Sequence, residues 1–455
     1  RRRNRSAANL STFGLLIAFV VTVWQWQSGA SLSLGEGQLV LHSLTLAFKA
    51  LLLGLAGVVV RFASGHAVNE HVGEYYAMLL LATLGMGFLV TTQNILMAFV
   101  ALELISLSLY ALTAFRKTSP TSAEAAIKYF TFGGLSSAFL LFGFSYLYGV
   151  TNSLQFDALI TVKDSSPLLL LAILFIFVGL GFKVAVVPFH LWAPDVYQCA
   201  PTPVAGWVAT GSKIASAFLF VRILQPVADN SDLHAVALPA LSAIAAASML
   251  IGNLGALRQT NLKRLLAYSG IANMGYLLVG AIALSNNGLA SSLFYVLTYS
   301  LANLGAFGVV GALTDQLGRE AQIDDFKGCW RRSPGLACAF LIFFLSLAGI
   351  PPLAGFVGKY YLFFAAIEKG NLLGGGMGDG YYLLVGFALL MSVVSLYYYV
   401  KVLKVFLVFE DQANALRLKL ETVLAFCIFA LAGSVLALGL YPEPFIQFIR
   451  VTLLG

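Results

Sequence analysis

Five ionisable side chains stand inside otherwise apolar runs. They are Glu103 in AFVALELISLSLYAL, Lys128 in AEAAIKYFTFGG, Lys183 in VGLGFKVAVVPFH, Lys213 in VATGSKIASAF and Lys359 in PPLAGFVGKYY. A charge at the bilayer centre costs about 2.5–3.5 kcal/mol on insertion scales and more in simulations. Snorkelling from a span end accounts for Lys49, Arg61, Arg222, Lys401 and Lys404, whose long stems reach the headgroups. It does not account for Glu103, a short carboxylate in the middle of its run. For Glu103 with Lys128 the plain alternative is a buried structural ion pair. The chemistry these residue types suit is proton transfer, because burial in oil disfavours a charged amine and a neighbouring carboxylate favours it again. Moving the carboxylate's influence therefore loads or unloads a proton. Ser and Thr hydroxyls, trapped water and His190 are the candidate connectors of the row, although a histidine in such a place equally suits a packed, hydrogen-bonded core residue.

The elements that position these groups must be membrane helices. Of 455 residues, 59% are hydrophobic and only 10% charged, and the mean hydropathy is +0.87. Soluble domains carry about 25% charged residues, so a soluble enzyme is excluded. At about 20 apolar residues per crossing the chain has material for about a dozen helices. The net charge of +7 lies mostly on loops, which reads as topology signal and not as a nucleic-acid surface. Cys199, Cys329, Cys338 and Cys427 form no CxxC pair and no disulfide framework, and are read as packing residues. Arg1, Arg2, Arg3, Asn4 and Arg5 precede an apolar run from Ala7 to Val23 without a small-residue cleavage site, which reads as a basic flank and a true span. The lack of an initiator Met suggests numbering that begins inside a longer chain.

Apolar runs and polar breaks predict about thirteen spans, near 8–26, 40–61, 75–92, 93–114, 123–149, 167–200, 203–225, 234–257, 264–285, 289–313, 334–368, 381–409 and 420–441. With a cytoplasmic start, the even-numbered connections carry Arg61; Arg116 and Lys117; Asp195 alone; Arg258, Lys263 and Arg264; Arg319, Lys327, Arg331 and Arg332; and Arg417 with Lys419. Five of the six obey the positive-inside rule. Spans 167–200 and 334–368 are too long for one crossing and hold Pro188 and Pro194, and Pro351 and Pro352, so each is predicted to be a broken helix. Freed backbone groups at membrane depth need protein or water around them, which points to a polar interior. The broken helix is fourth of five in both 75–225 and 234–409, and an odd repeat places the halves in opposite orientation. The expected fold is all-α and polytopic: N-terminal helices in 1–74, two inverted five-helix repeats, and a C-terminal helix in 410–455. There is no GxGxxG after a strand, no phosphate loop, no HExxH and no histidine pair at haem spacing, so no redox cofactor or metal is expected in the chain. Gly374, Gly375 and Gly376 read as close packing or a flexible loop.

The strings MAFVALELISLSLYAL, AEAAIKYF, GFKVAVVPFHLWAPDVYQCAPTPVAGWVATGSKIASAF, TNLKRLLAYSGIANMGY and LSLAGIPPLAGFVGKYYLF run from roughly residue 75 to 410. Together they resemble the antiporter-like membrane subunits of NADH-quinone oxidoreductase, respiratory complex I. The likeness is to the N-type branch, subunit 2 in mitochondria, because Lys359 stands where the M-type carries glutamate and the chain stops short of the L-type lateral helix. The resemblance implies fourteen transmembrane helices, the first lying before Arg1. It also implies that Glu103 is the fifth-helix glutamate, Lys128 the sixth-helix lysine, and Lys183, Lys213 and Lys359 the lysines of the broken seventh, the eighth and the broken twelfth, forming a hydrophilic axis with proton half-channels. The family's Glu-Gly after PFHLWAPDVY is replaced by Gln198 and Cys199. The implied role is that of a non-redox, proton-translocating subunit coupled to quinone reduction. Homologous antiporter-like and smaller membrane subunits would be its partners, and FMN, iron–sulfur clusters and quinone would be held by partner subunits. The bacterial plasma membrane is the expected location, with an organellar inner membrane as the alternative. Two rival readings are a cation/proton antiporter subunit, which would need more buried acids than Glu103, and a structural scaffold whose charges are buried pairs.

Overall fold

The computed structural model describes residues 2–29, 31–35, 37–65, 71–117, 119–161, 166–228, 231–317, 319–408 and 421–454. In chain order the helices are α1 (Arg2–Gln27), α2 (Ser43–Gly65), α3 (Val72–Thr91), α4 (Ile95–Thr113), α5 (Pro120–Thr151), α6 (Pro167–Val184), α7 (Trp192–Cys199), α8 (Thr202–Ala209) and α9 (Gly211–Ala228). There follow α10 (Ser231–Leu257), α11 (Leu262–Ile282), α12 (Asn286–Leu317), α13 (Cys329–Arg332), α14 (Pro334–Ala348), α15 (Ala354–Leu373), α16 (Gly375–Leu407), α17 (Thr422–Leu440) and α18 (Glu443–Leu454). A hairpin of β1 (Leu32–Leu34) and β2 (Leu39–Leu41), and the amphipathic α18, were not expected from the sequence. Among the described residues, twelve segments are long and apolar enough to cross a membrane, α8 with α9 counting as one, and α14 is a shorter apolar helix that the second break separates from α15. The fold is thus the expected polytopic all-α one. Arg417, Lys419 and the expected boundary at 409–410 lie outside the described residues.

Helix starts follow local chemistry. Asn94 caps α4 by accepting from the Leu96 and Met97 N–H groups, Ser119 and Ser166 cap α5 and α6 ahead of a first-turn proline, and Asn261 caps α11 through the Arg264 N–H. Both predicted breaks are present: α6 stops at Ala185, which is left-handed at φ 62°, and α14 stops at Gly349, at φ 83°. A third interruption, at Thr210 between α8 and α9, has no proline to announce it. Buried helices α8, α9, α11 and α12 form the centre, whereas α1 and α17 keep most of their surface on the outside.

A unit of the structure occurs twice. Asn94, the cap of α4, bridges to Gln155, which follows α5 and opens a 3₁₀ turn at Phe156; Asn261, the cap of α11, bridges to Gln322, which follows α12 and opens a 3₁₀ turn at Ile323. The first copy lies beside Thr92 and the hairpin, since Leu39 bridges to Thr92. The second lies at the other end of the bundle, where Arg116 and Lys263 both pair with Glu320. The same device therefore faces opposite ways in the two halves, as an inverted arrangement requires.

Candidate functional site

Lys183 occupies the last turn of α6, just before the break, and its Nζ donates to Ser106 Oγ at 2.5 Å. Glu103 lies one turn earlier on α4 than Ser106, and accepts from Ser137 Oγ of α5 at 2.5 Å. Carboxylate and amine are therefore neighbours held by separate hydroxyls. Lys213 lies in the first turn of α9, beyond the Thr210 interruption, where Thr210 Oγ1 donates back to Gly206 O. It is 1% exposed, donates to Gly270 O at 3.2 Å and lies 5.4 Å from the centre of the Tyr299 ring. Gly270 admits this approach, since a Cβ there would stand 3.0 Å from Lys213 Nζ and 2.8 Å from Tyr299 OH.

Lys359, 5% exposed, sits in the first turns of α15 and reaches back across the second break. Its Nζ donates to Leu347 O (3.4 Å), Ala348 O (3.2 Å) and Ser392 Oγ (3.2 Å), and lies 4.7 Å from the Tyr276 ring centre. Two of these acceptors are carbonyls at the end of α14, the negative end of its dipole. The amine thereby takes bonds that helix termination leaves open.

Between Lys213 and Lys359 is packed a set of tyrosines and asparagines that the sequence reading did not single out. Asn303 Nδ2 donates to Tyr299 OH at 2.8 Å, Tyr295 OH to Asn273 Oδ1 at 2.7 Å and Asn273 Nδ2 to Tyr399 OH at 3.5 Å. Asn253 Nδ2 donates to Tyr276 OH and Tyr398 OH donates to Asn253 Oδ1, both at 3.1 Å. All of these side chains are buried. The available signal was three asparagines inside apolar runs, a residue type that hydrocarbon tolerates when it is hydrogen-bonded.

Lys128 does not join Glu103. It is partly exposed, at one end of the bundle, and pairs with Glu124 (2.7 Å) and Asp195 (2.8 Å), so a buried Glu103–Lys128 pair is not what the fold builds. The reason is length: α5 starts at Pro120, leaving Lys128 only two turns from the surface. Asp195, the acid on an otherwise basic face, also pairs with Arg264 at 2.6 Å, which explains why that connection lacks a cation of its own. Gln198 accepts from the same guanidinium at 3.1 Å. His190 is buried at the first break, and its Nδ1 has no hydrogen-bond partner among the described residues.

At the opposite end lies a polar cavity of about 400 Å³, bordered by His42, Gln93, Asp157, Arg222 and Gln225. Burial, and then the Arg222 guanidinium, push the His42 imidazole down to about 4, so it is neutral at physiological pH. Arg222 donates to Thr92 O and lies over the Phe218 ring; it lines a cavity as well as lying near a span end.

A family model described as NADH:quinone oxidoreductase/Mrp antiporter, transmembrane, matches residues 92–378. The chain is 44% identical over 466 residues to NADH-quinone oxidoreductase subunit N 2 of Acidobacterium capsulatum, covering 98% of this chain and 92% of that protein. It is 40% identical over 439 residues to the protein of the same name from Solibacter usitatus, covering 94% and 85%. Among solved structures, a chain of respiratory complex I from Thermus thermophilus with bound aureothin superposes with a TM-score of 0.82 at 33% identity, covering 98% of this chain and 94% of that one.

Proposed function

Because this chain belongs to the NADH:quinone oxidoreductase/Mrp antiporter membrane-subunit family, within its subunit N branch, we propose that Lys183, Lys213 and Lys359, governed by Glu103, carry its protons. The chain is an antiporter-like, multi-pass membrane subunit of bacterial respiratory complex I. Flavin, iron–sulfur centres and quinone belong on this reading to partner subunits, and this subunit takes part without redox chemistry of its own. Residues 75–225 and 234–409 are assigned as the two inverted repeats, supported by the twofold occurrence of the Asn–Gln bridge on opposite faces.

In this reading quinone reduction elsewhere in the assembly changes the field at Glu103. The nearby Lys183 gains or loses its proton in response, and Lys213 and then Lys359 follow. Moving one charge against 100 mV takes about 2.3 kcal/mol, equivalent to about a fiftyfold change in an amine's proton affinity. The observation that carries the proposal is that Lys213 and Lys359 are almost fully buried with only neutral oxygens as partners, and have hydrogen-bonded Tyr and Asn packed between them. A buried amine without a counter-charge is poised to be neutral or charged according to modest changes around it. Lys213→Ala in the assembled complex is expected to abolish proton translocation, read as protons moved per electron in membrane vesicles. An unchanged ratio overturns the proposal and leaves a scaffold.

A further inference from the structure

Lys263 is a buried amine outside the row described above. By sequence it is a loop cation, yet it is 1% exposed, and its Nζ reaches Glu320 Oε2 at 2.7 Å and Ala200 O at 3.0 Å. Glu320 is shared with Arg116 at 2.9 Å. Lys263 lies seven residues before Gly270 on α11, so the two share one stripe of the helix, about 10 Å apart along its axis. Gly270 is the residue whose carbonyl holds Lys213.

The space along that stripe is bounded by α7, α8 and α12. On α12 the residues Tyr299, Asn303, Phe307 and Gly311 recur every four positions, and so form one row. Tyr299 lies at the level of Lys213, the Phe307 ring is 6.0 Å from that of Tyr197, and Gly311 faces the Thr202 methyl. Thr202 is two residues from Ala200, whose carbonyl binds Lys263. Along this row, Thr202 Oγ1, Tyr197 OH and Asn303 Oδ1 have no hydrogen-bond partner among the described residues, although all three side chains are 0–1% exposed. An unsatisfied buried polar atom costs about 1–3 kcal/mol. Three in one row, between two buried amines, are hard to explain as packing.

We propose that Lys263, with Glu320, takes up protons on this face of the membrane and that Thr202, Tyr197, Asn303 and Tyr299 line their route to Lys213. The transfer is balanced: the Lys263 ammonium becomes a neutral amine while the Lys213 amine becomes an ammonium. Lys263 then regains a proton from solvent past Glu320, which keeps Arg116 as its partner in the interval. The inference rests on the reading of Lys213 as a proton carrier.

The test uses the assembled complex in inverted membrane vesicles, measuring protons translocated per NADH oxidised and the rate of translocation. Lys263→Arg keeps a cation able to donate to Glu320 and Ala200 but cannot release its proton. A purely clamping Lys263 predicts the wild-type rate in this variant, whereas the proposal predicts a fall of about tenfold or more. Tyr197→Phe with Thr202→Val removes two hydroxyls that hold nothing in the structure, so a packing role predicts no change and the proposal a fall of several-fold. Should Lys263→Arg fail to accumulate, the double variant decides alone. If Lys213→Ala abolishes translocation while Lys263→Arg and the double variant pump normally, this route is wrong and the reading of Lys213 stands. If Lys213→Ala pumps normally, that reading falls and takes this one with it.

Discussion

The two halves of the bundle carry the same frame and different chemistry. Nine and twelve residues after the cap Asn94 stand Glu103 and Ser106, the groups beside Lys183; nine and twelve after the cap Asn261 stand Gly270 and Asn273. Where the first half places a carboxylate, the second places a glycine whose bare carbonyl takes Lys213. The lysines at the breaks differ as well. Lys183 precedes its break and bonds a hydroxyl on another helix, whereas Lys359 follows its break and bonds the carbonyls that the break frees. A charge thus stands near the break lysine of the first half, while the break lysine of the second half, Lys359, has only neutral oxygens with which to hold or release a proton. Control by a carboxylate belongs to one end of the row, and transmission to the other.

The largest test of that contrast is Glu103→Gln, which keeps an acceptor for Ser137 and removes the charge. Translocation is expected to fall about tenfold or more, measured as proton uptake by vesicles, with the complex still assembled; normal uptake would place control elsewhere. Next is Gly270→Ala. The new Cβ stands 2.8 Å from Tyr299 OH and 3.0 Å from Lys213 Nζ, so the hydroxyl must shift and the amine give way, at an expected cost of about 1–3 kcal/mol in thermal stability together with slower pumping. Smaller are the paired changes at the breaks. Gly349→Ala puts a side chain at φ 83°, 3.1 Å from Lys359 Nζ, and should destabilise by about 1–3 kcal/mol. Ala185→Gly relieves a left-handed alanine and should stabilise by less than about 1 kcal/mol; thermal melts of the two variants moving in the same direction would show that the breaks are not comparable.

The smallest effect concerns the turns after Gln155 and Gln322, where the first half has Ala158 and the second Asp325. Burial pushes the Asp325 carboxyl up, but hydrogen bonds from Arg319 (2.6 and 2.9 Å) and from the Gln322 N–H (2.7 Å) outweigh it and hold it below 3.8. A depressed carboxylate contributes stability above its ordinary value and loses it as the pH falls through the folded one. Arg319→Ala should therefore lower the melting temperature at pH 7 only slightly, because Arg319 is largely exposed although Asp325 is mostly covered, and that small deficit should vanish in melts at a pH low enough to protonate Asp325.

Apolar run lengths were enough to place the crossings, because the bilayer makes length and composition decisive. Pro188 and Pro351–Pro352 marked two breaks correctly, since proline acts locally on its own backbone. The Thr210 interruption escaped because no proline or glycine pair announces it: Thr210 leaves the helical region at φ −126° and ψ −72°, and its hydroxyl bond to Gly206 O is one that unbroken helices also make. Glu103, Lys183, Lys213 and Lys359 were legible because charge in oil is expensive wherever it occurs. Two depths were not legible: Lys128 lies within a span, as read, but only partly buried and paired with Glu124 and Asp195, and Lys263, read as loop, is enclosed by α7 and Glu320. Depth near a helix end depends on what folds over it, which spacing along one chain does not encode. Tyr295, Tyr399 and Asn273 look like ordinary span residues until three helices bring them together.

Helix α12 has a history to reckon with. Its neighbours include α14, α15, α17 and α18, all of which follow it in the chain. A polypeptide made from its amino end must therefore insert α12, with Tyr295, Tyr299 and Asn303 on its sides, before the helices that enclose it exist. Tyr295 and Asn303 then already have Asn273 of α11 and Tyr299 of α12 itself as partners, and it is the face that later meets α14, α15, α17 and α18 that is left to lipid or the insertion machinery. The central helix of the finished subunit is thus enclosed on one side only once nearly the whole chain has been made.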